Sequence, residues 1–162
     1  MNISVRDKRY VQKAVRLARR SVAEGGFPAG ALVVKDSKVI SEGISIGFEL
    51  HDPTSHAETA SIRKACQELK TLDLKGAILY ESLECCLMCF SVAYWAGISK
   101  IIYACRKTPE MVNKFYYEGF SDNNKINKEN NRNIELIFIP DFERESLGIV
   151  REWEKKFGGL AK

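Results

Sequence analysis

The sequence predicts an α/β fold. Short β-branched runs alternate along the chain with longer stretches in which apolar residues recur every three or four positions. At 162 residues with 45% apolar content, the chain can build one well-buried core but is too short for two domains of ordinary size. We therefore expect residues 1–162 to form a single domain.

The first predicted elements are a helix and a hairpin. One face of the helix is apolar, and Gly25-Gly26 ends it. Two β-branched runs follow at residues 31–34 and 39–40, and the segment between them, Lys35-Asp-Ser-Lys38, has the polar composition of a hairpin turn. The apolar face of the helix consists of Val11, Ala14, Val15, Ala18 and Val22.

The middle of the chain predicts two further helix and strand pairs. A helix is expected from His56 to about Leu69, with Thr54 or Ser55 capping its free amides, followed by a strand at 77–80. Residues 86–96 are helical in pattern up to Gly97, and residues 101–104 read as a buried strand.

The last third predicts a loop, a strand and a helix. Residues 122–133 are rich in Asn and Lys with almost no apolar residues, so we expect a surface loop. A strand at 134–139 precedes a helix ended by Gly158-Gly159. Leu147, Val150, Trp153 and Phe157 lie on one side of this helix, which predicts burial against the sheet or a neighbouring subunit.

Composition excludes several classes of protein. No apolar run is long enough to span a membrane, and the N-terminus is charged and lacks the apolar block of a secretion signal, which predicts a cytoplasmic protein. The five cysteines are not spread as in a disulfide scaffold. The net charge of +4 does not decide for or against RNA as a partner.

Two short motifs carry the predicted chemistry. His56-Ala-Glu58 lies at one predicted helix start and Cys86-Leu-Met-Cys89 at another, and each helix start can face a common crevice. Cysteines three apart share one side of a helix, and two thiolates with one imidazole are ligands that Zn²⁺ prefers. Three protein ligands leave a coordination position open, as in catalytic zinc sites, and Glu58 is placed to move protons.

These motifs resemble the zinc-dependent cytidine and deoxycytidylate deaminase superfamily, whose signature is H-x-E followed by P-C-x-x-C. Three blocks carry the resemblance: residues 28–31 (PAGA), 51–58 (HDPTSHAE) and 81–89 (ESLECCLMC). The likeness is good over residues 5–105 and weak beyond them. It is nearest to guanine deaminases and tRNA adenosine deaminases.

The resemblance implies a three-layer α/β/α fold, with a five-stranded mixed sheet between helices, and assembly as a homodimer. It implies that His56, Cys86 and Cys89 hold Zn²⁺. Glu58 would take a proton from the attacking water and return one to the leaving amine, so that a ring amino group is replaced by a carbonyl. It also implies substrate contacts at four positions: Phe27, Ala29, Ser45 and Ala57.

The sequence departs from the family pattern at three places. Cys85 replaces the usual proline, so three thiols stand where two are expected, although Cys85 precedes the first full helical turn and is expected to point elsewhere. Ser45 replaces the usual asparagine, which leaves fewer hydrogen bonds for a substrate. Ala29 offers no aromatic ring for stacking, unlike many guanine deaminases.

Several substrates stay open at this point. The region of Glu118-Gly-Phe120 and Asp122 resembles guanine deaminases and favours a free base or related amino-heterocycle. His51-Asp-Pro-Thr54 favours a tRNA adenosine deaminase, but the usual pattern after Ala104 is absent. Cytosine or cytidine is a further alternative. A zinc-bearing binding protein is the non-enzymatic one, and the intact Glu58 argues against it.

Other residues have simpler expected roles. His51 is more typical of a solvated or turn-capping histidine than of a substrate contact. Cys66 and Cys105 are expected to be buried small apolar residues. The aromatic residues at 115–117 and Phe120 are expected to pack or to form an oligomer contact, with a base-stacking wall as the alternative.

Overall fold

The computed structural model describes residues 3–159 and contains a five-stranded mixed sheet in the order β2-β1-β3-β4-β5. The strands are β1 (Gly30–Lys35), β2 (Lys38–Ile44), β3 (Ile78–Glu81), β4 (Lys100–Tyr103) and β5 (Glu135–Phe138). β1 pairs antiparallel with β2 and β3, whereas β3, β4 and β5 are parallel. The predicted fold class is confirmed.

The β1–β2 connection is the predicted hairpin. Its two turn residues, Asp36 and Ser37, both have positive φ, at 49° and 63°. Two consecutive left-handed residues form the turn whose twist matches that of the flanking strands. The hairpin brings the end of β2 beside the start of β1, with Gly30 opposite Ile44. The residues before β1 and the residues after β2 therefore meet at the same end of these two strands.

Helices cover both faces of the sheet. On one face lie α1 (Val5–Ala23) and α7 (Glu143–Phe157), and α1 packs on Leu32, Tyr80 and Ile102. On the other face lie α3 (Ala57–Leu69) and α4 (Leu87–Trp95), which contact each other and pack on Val33, Leu79 and Ile101. Buried strands with apolar residues on both faces fit such a three-layer arrangement.

The prediction of a loop at residues 122–133 was wrong in part, because α6 (Asn123–Glu129) lies within it. The Asp122 side chain accepts from the Asn124 amide at the helix start. Asn127 bonds both the amide and the carbonyl of Ile134. Asn123 is buried, and Ile126 packs against the core. Local side-chain bonds therefore order a segment whose composition alone predicts disorder.

Two short helices, α2 (Gly47–Leu50) and α5 (Pro109–Asn113), were not predicted, and a 3-10 turn at Pro140–Phe142 precedes α7. The predicted cap of α3 was also wrong: the N-cap residue is His56, and its side chain makes no capping bond. No helix within residues 3–159 combines the length and the apolar character needed to cross a bilayer.

Candidate active site

The two predicted motifs meet where α3 and α4 begin. His56 and Cys86 are the N-cap residues of these helices, each with extended backbone angles. Their carbonyls accept the first helical hydrogen bonds, from Ala60 and Phe90. Both side chains therefore stand at helix starts on the same face of the sheet, as the motif spacing predicts.

Three potential ligand atoms form a compact group. His56 Nδ1 lies 3.6 Å from Cys86 Sγ and 3.5 Å from Cys89 Sγ. All three atoms lie within 4.8 Å of one another. A tetrahedral Zn²⁺, with bonds of about 2.3 Å to sulfur and about 2.0–2.1 Å to nitrogen, separates such atoms by about 3.6 Å. The residues present fit zinc in both donor type and spacing.

Glu58 lies directly beside this group. It is only 5% exposed, and its Oε2 lies 3.4 Å from Cys89 Sγ, within hydrogen-bond distance. Burial raises the pKa of Glu58, while the charge of His56 and the Cys89 bond oppose that shift. A carboxyl group with a raised pKa exchanges protons near neutral pH, as a proton carrier requires.

The Cys86 thiol ionises readily. A hydrogen bond from the Cys89 thiol, opposed by burial and assisted by His56, lowers the pKa of Cys86 to about 6. The thiolate is the form of cysteine that binds metal. Cys86 is thus prepared to bind zinc at neutral pH even before Cys89 loses its proton.

The third thiol, that of Cys85, lies outside the group. Cys85 is buried, and its backbone amide donates to Glu81 Oε2 across 3.2 Å. Burial raises the pKa of Cys85 well above its usual range, with the nearby Glu81 and Glu58 carboxylates adding to the effect. This thiol stays protonated, and its sulfur is not among the three grouped ligand atoms.

A pocket of about 710 Å³ opens in front of His56, Glu58 and Cys86. Three of the four predicted substrate contacts line it: Phe27, Ala29 and Ser45. Phe27 and Ala29 precede β1 and Ser45 follows β2, so the hairpin geometry brings them together. The pocket wall is completed by residues of α2, α4 and the segment after α5; they include Phe48, His51, Met88, Phe115, Tyr116 and Tyr117.

Ala57 does not line the pocket. It is fully buried and packs in the core. Ala57 is the first residue of α3, and the backbone amides in the first turn of a helix have no partner within the helix. Any contact of Ala57 with a substrate would therefore be made by its backbone amide. Its predicted role in binding stays a prediction.

The aromatic cluster divides into separate roles. Tyr116 lines the pocket and packs edge-on against Phe27 and Trp153, with ring centroids 5.5 Å away in each case. Tyr117 is buried, while Phe115 and Phe120 are exposed.

Cys105 is fully buried, as expected, whereas Cys66 is only half-buried. His51 is exposed, ends α2 with a positive φ and borders the pocket.

Of the two acidic residues after α5, the structure brings Glu118 into the pocket and not Asp122. The backbone amides of Leu87 and Met88 donate to the Glu118 carboxylate across 3.4 and 3.3 Å. These are free amides at the start of α4. Burial alone would raise the pKa of Glu118, but the backbone hydrogen bonds, together with Cys86, lower it, so the group is charged. Asp122 caps α6 instead.

Sequence reasoning missed three polar residues near the proposed metal ligands: Glu81 and Asn123, which are buried, and Glu84, which is half-buried. Glu81 is fully buried at the end of β3, and Asn123 Nδ2 donates to the Cys85 carbonyl across 2.9 Å. Glu84 borders the pocket and accepts from the Lys107 amide. An acidic residue ending the apolar strand Ile78-Leu-Tyr-Glu81 was the available signal for the first of these.

One imidazole and two thiols beside a buried glutamate, three of these residues lining a pocket, define a metal-dependent hydrolase site with an open coordination position. The sequence model of the cytidine and deoxycytidylate deaminase zinc-binding region matches residues 4–105. The chain therefore belongs to this zinc-dependent deaminase family, as the resemblance predicted.

The relatives include two kinds of deaminase. A guanine deaminase of Bacillus subtilis (strain 168) is 38% identical over 148 residues, covering 89% of this chain and 91% of that protein. A tRNA-specific adenosine deaminase of Aquifex aeolicus (strain VF5) is 39% identical over 95 residues, covering 59% and 63%. The structure of a guanine deaminase from Nitrosomonas europaea superposes with a TM-score of 0.79 at 22% identity, covering 90% and 83%, and shows the shared fold.

Proposed function

We propose that the protein is a zinc-dependent deaminase of guanine or of a closely related free amino-heterocycle. The observation that carries this proposal is the group of three ligand atoms beside Glu58, with His56, Glu58 and Cys86 lining the pocket. A site for structural zinc needs four protein ligands and no buried glutamate, so these residues are better suited to catalysis. This argues against the zinc-bearing binding protein.

In this proposal His56, Cys86 and Cys89 hold the zinc. When bound, zinc lowers the pKa of a coordinated water toward about 7 and so supplies a nucleophile at neutral pH. Glu58 takes a proton from the attacking water, and the same carboxyl group gives a proton to the leaving amine. Its position against Cys89 Sγ keeps the carboxylate next to the reacting atoms, and burial excludes water that would compete for the proton.

The pocket walls hold the ring. Phe27 and Tyr116 present apolar edges that Trp153 fixes from behind, with ring centroids 5.1 and 5.5 Å from it. Such walls bind a flat heterocycle by packing and confine its orientation. Ser45 and Ala29 are small, so the pocket side nearest them leaves room for the ring or for a substituent.

Glu118 supports guanine over adenine. In guanine one of the two ring nitrogens next to the amino-bearing carbon carries a hydrogen, whereas in adenine and cytosine the one ring nitrogen at that position presents a lone pair. An ionised carboxylate only accepts hydrogen bonds, so it attracts the first kind of ring and repels the second. Glu118 is charged, lines the pocket and lies at the metal-ligand end of α4.

The second candidate is a tRNA adenosine deaminase. Several relatives, including the Aquifex aeolicus protein, are tRNA adenosine deaminases, which favours this candidate. The exposed aromatic residue Phe48 at the pocket wall also favours it. Exposed rings of this kind can stack neighbouring bases of a single strand. Charge does not separate the two candidates, since the chain is only mildly basic.

Ammonia release distinguishes these activities. We expect zinc-loaded protein to release ammonia from guanine and not from adenine, cytosine, their nucleosides or a tRNA anticodon stem-loop. The measurement is a coupled ammonia assay with the Glu58→Gln protein as the blank. Ammonia release from the stem-loop alone would replace the proposed substrate by tRNA. No ammonia release from any of these substrates would contradict an enzymatic function.

A Glu118→Gln variant is the matched test of the specificity argument. The amide keeps the size of the side chain but removes its charge and can donate to a ring lone pair. Because a hydrogen bond to a charged group contributes about 1.5–3 kcal/mol, we expect kcat/KM for guanine to fall roughly 10–100-fold and the preference over adenine to narrow. An unchanged preference for guanine over adenine would show that Glu118 does not recognise the ring nitrogen.

We also propose a homodimer formed through α4. This helix carries no charged residue, and Trp95 at its end is 82% exposed. A helix without charged residues that leaves a large aromatic ring exposed is usually covered by a partner, here by a second copy. Sedimentation velocity should show a dimer that Trp95→Lys dissociates and that Val5→Lys, an exposed apolar position on α1, leaves intact. A monomeric parent protein would contradict the dimer.

We propose that the protein works in the cytoplasm as a single-domain enzyme. All five cysteines are free, and two of the proposed ligands are thiols that must stay reduced, which suits a reducing compartment. The five strands within residues 3–159 form a single sheet with helices on both faces, which supports one domain.

A further inference from the structure

The segment that leads into Cys86 is held by buried side chains from three parts of the chain. Tyr117 Oη donates to the Glu84 carbonyl across 2.7 Å. At the next residue, the Cys85 amide donates to Glu81 Oε2 and the Cys85 carbonyl accepts from Asn123 Nδ2, across 3.2 and 2.9 Å. Both polar groups of the Cys85 backbone are therefore bound by side chains.

One of these bonds exists because of this chain's own sequence. The family usually has proline before the first motif cysteine, and proline has no amide hydrogen. Cys85 does have one, and the residue is only 2% exposed. A buried amide without a partner costs free energy comparable to a lost hydrogen bond. Glu81 Oε2 is the acceptor that satisfies it.

The Glu81 and Asn123 side chains are costly to bury. Glu81 is 0% exposed and Asn123 2% exposed, and Glu81 Oε1 and Asn123 Oδ1 have no hydrogen-bond partner among the described residues. Apolar residues of similar size would fill the same space at lower cost, so packing does not account for these side chains. What both have in common is the bond to the Cys85 backbone.

We propose that Glu81 and Asn123 are positioning residues for zinc binding, which hold the Cys85 backbone from two sides and thereby fix the direction of the Cys86 thiol. Cys86 follows Cys85 directly and is the N-cap of α4, so a shift of the Cys85 peptide groups moves its Sγ relative to His56 and Cys89. Residues that orient metal ligands typically change metal affinity 10–100-fold when replaced. The inference rests on the proposed ligand set.

Glu81 can act in its neutral form. Burial, with the nearby Glu58 carboxylate adding to it, raises the pKa of Glu81 well above its usual range. A neutral carboxyl group still accepts the Cys85 amide bond through an oxygen, and so does the side-chain oxygen of glutamine. Methionine matches the length of glutamate but accepts only weakly. Glu81→Gln and Glu81→Met therefore separate the hydrogen bond from the shape.

The first experiment measures Zn²⁺ affinity by competition with a chelator and the thiolate-to-cobalt absorption of the Co²⁺-loaded protein. We expect Glu81→Met to weaken Zn²⁺ binding roughly 10–100-fold and to alter the cobalt spectrum. Glu81→Gln should stay within about threefold of the parent protein, because it restores the acceptor. Equal affinities for all three proteins would overturn the proposal.

Asn123 has a matched control on the same helix. Asn123→Leu removes the bond to the Cys85 carbonyl, whereas Asn127→Ala removes the bonds that tie α6 to Ile134. We expect the first to weaken Zn²⁺ binding and the second to lower the melting temperature with Zn²⁺ affinity retained. Equal losses of affinity would mean that α6 docking, and not the Cys85 contact, is responsible.

A double-variant cycle tests the proposed contact itself. Cys85→Pro removes the amide hydrogen that Glu81 accepts, so Glu81→Met should cost little further Zn²⁺ affinity in that background. If Glu81→Met alone fails to fold, the double variant should fold, since no amide is left unpaired. An undiminished cost, or no recovery of folding, would overturn the proposal. Failure of the parent protein to bind Zn²⁺ would instead contradict the proposed function.

Discussion

Glu58→Gln is expected to abolish nearly all turnover while zinc stays bound. The substitution keeps the size of the side chain but removes its ability to accept and return a proton, which contributes about 10²–10⁴-fold to a rate. Glu58 is buried beside Cys89 and is not one of the three grouped ligand atoms, so the metal site should survive. The measurements are kcat for ammonia release and zinc content per chain.

Glu58→Asp is the useful companion variant. It keeps the carboxyl group but withdraws it by one methylene from the reacting atoms, so its kcat should lie between those of the parent protein and Glu58→Gln. Full activity in Glu58→Gln would mean that another group carries the proton. Loss of zinc from that variant would mean that Glu58 supports the metal site and not only the reaction.

Replacing the cysteines one by one is expected to separate the ligands from the extra thiol. Cys86→Ala and Cys89→Ala each remove one of three ligand atoms, and we expect most zinc to be lost. The loss should exceed the roughly 10–100-fold typical of a supporting hydrogen bond. Metal analysis of purified protein and chelator competition measure it.

Cys85→Ala is the control, because it removes the third thiol and leaves the backbone amide and carbonyl in place. We expect it to retain one zinc per chain, since the Cys85 thiol is buried away from the ligand group. Zinc loss in Cys85→Ala with retention in Cys86→Ala would reverse the ligand assignment. A folded apo form, checked by circular dichroism, shows that the metal and not the fold was lost.

Local patterns predicted the elements that carry the site. The spacing of His56, Glu58, Cys86 and Cys89 implied two helix starts that share one face, and the ligand atoms meet as the spacing requires. The hairpin composition at Asp36-Ser37 predicted a turn that the backbone adopts. Such features depend on neighbours three or four residues apart, which a sequence displays directly.

Composition failed where a segment is ordered by partners outside it. Residues 122–133 look disordered by themselves, but Asn123 bonds Cys85 and Asn127 bonds Ile134, and these contacts order α6. The side chain of Ala57, at a predicted substrate-contact position, is buried in the core, so that prediction now concerns only its backbone amide. Which face a residue presents depends on packing between elements, and a local pattern does not contain that information.

The sequence by itself determined the fold class and the deaminase family, and it predicted the proposed metal ligands and proton carrier, because all of these follow from residue type and spacing. The tertiary structure alone decided which acidic residue after α5 reaches the pocket, namely Glu118 and not Asp122, and that Glu81 and Asn123 meet at the Cys85 backbone. Those contacts join residues up to 38 positions apart, and only the folded sheet brings them within hydrogen-bond distance.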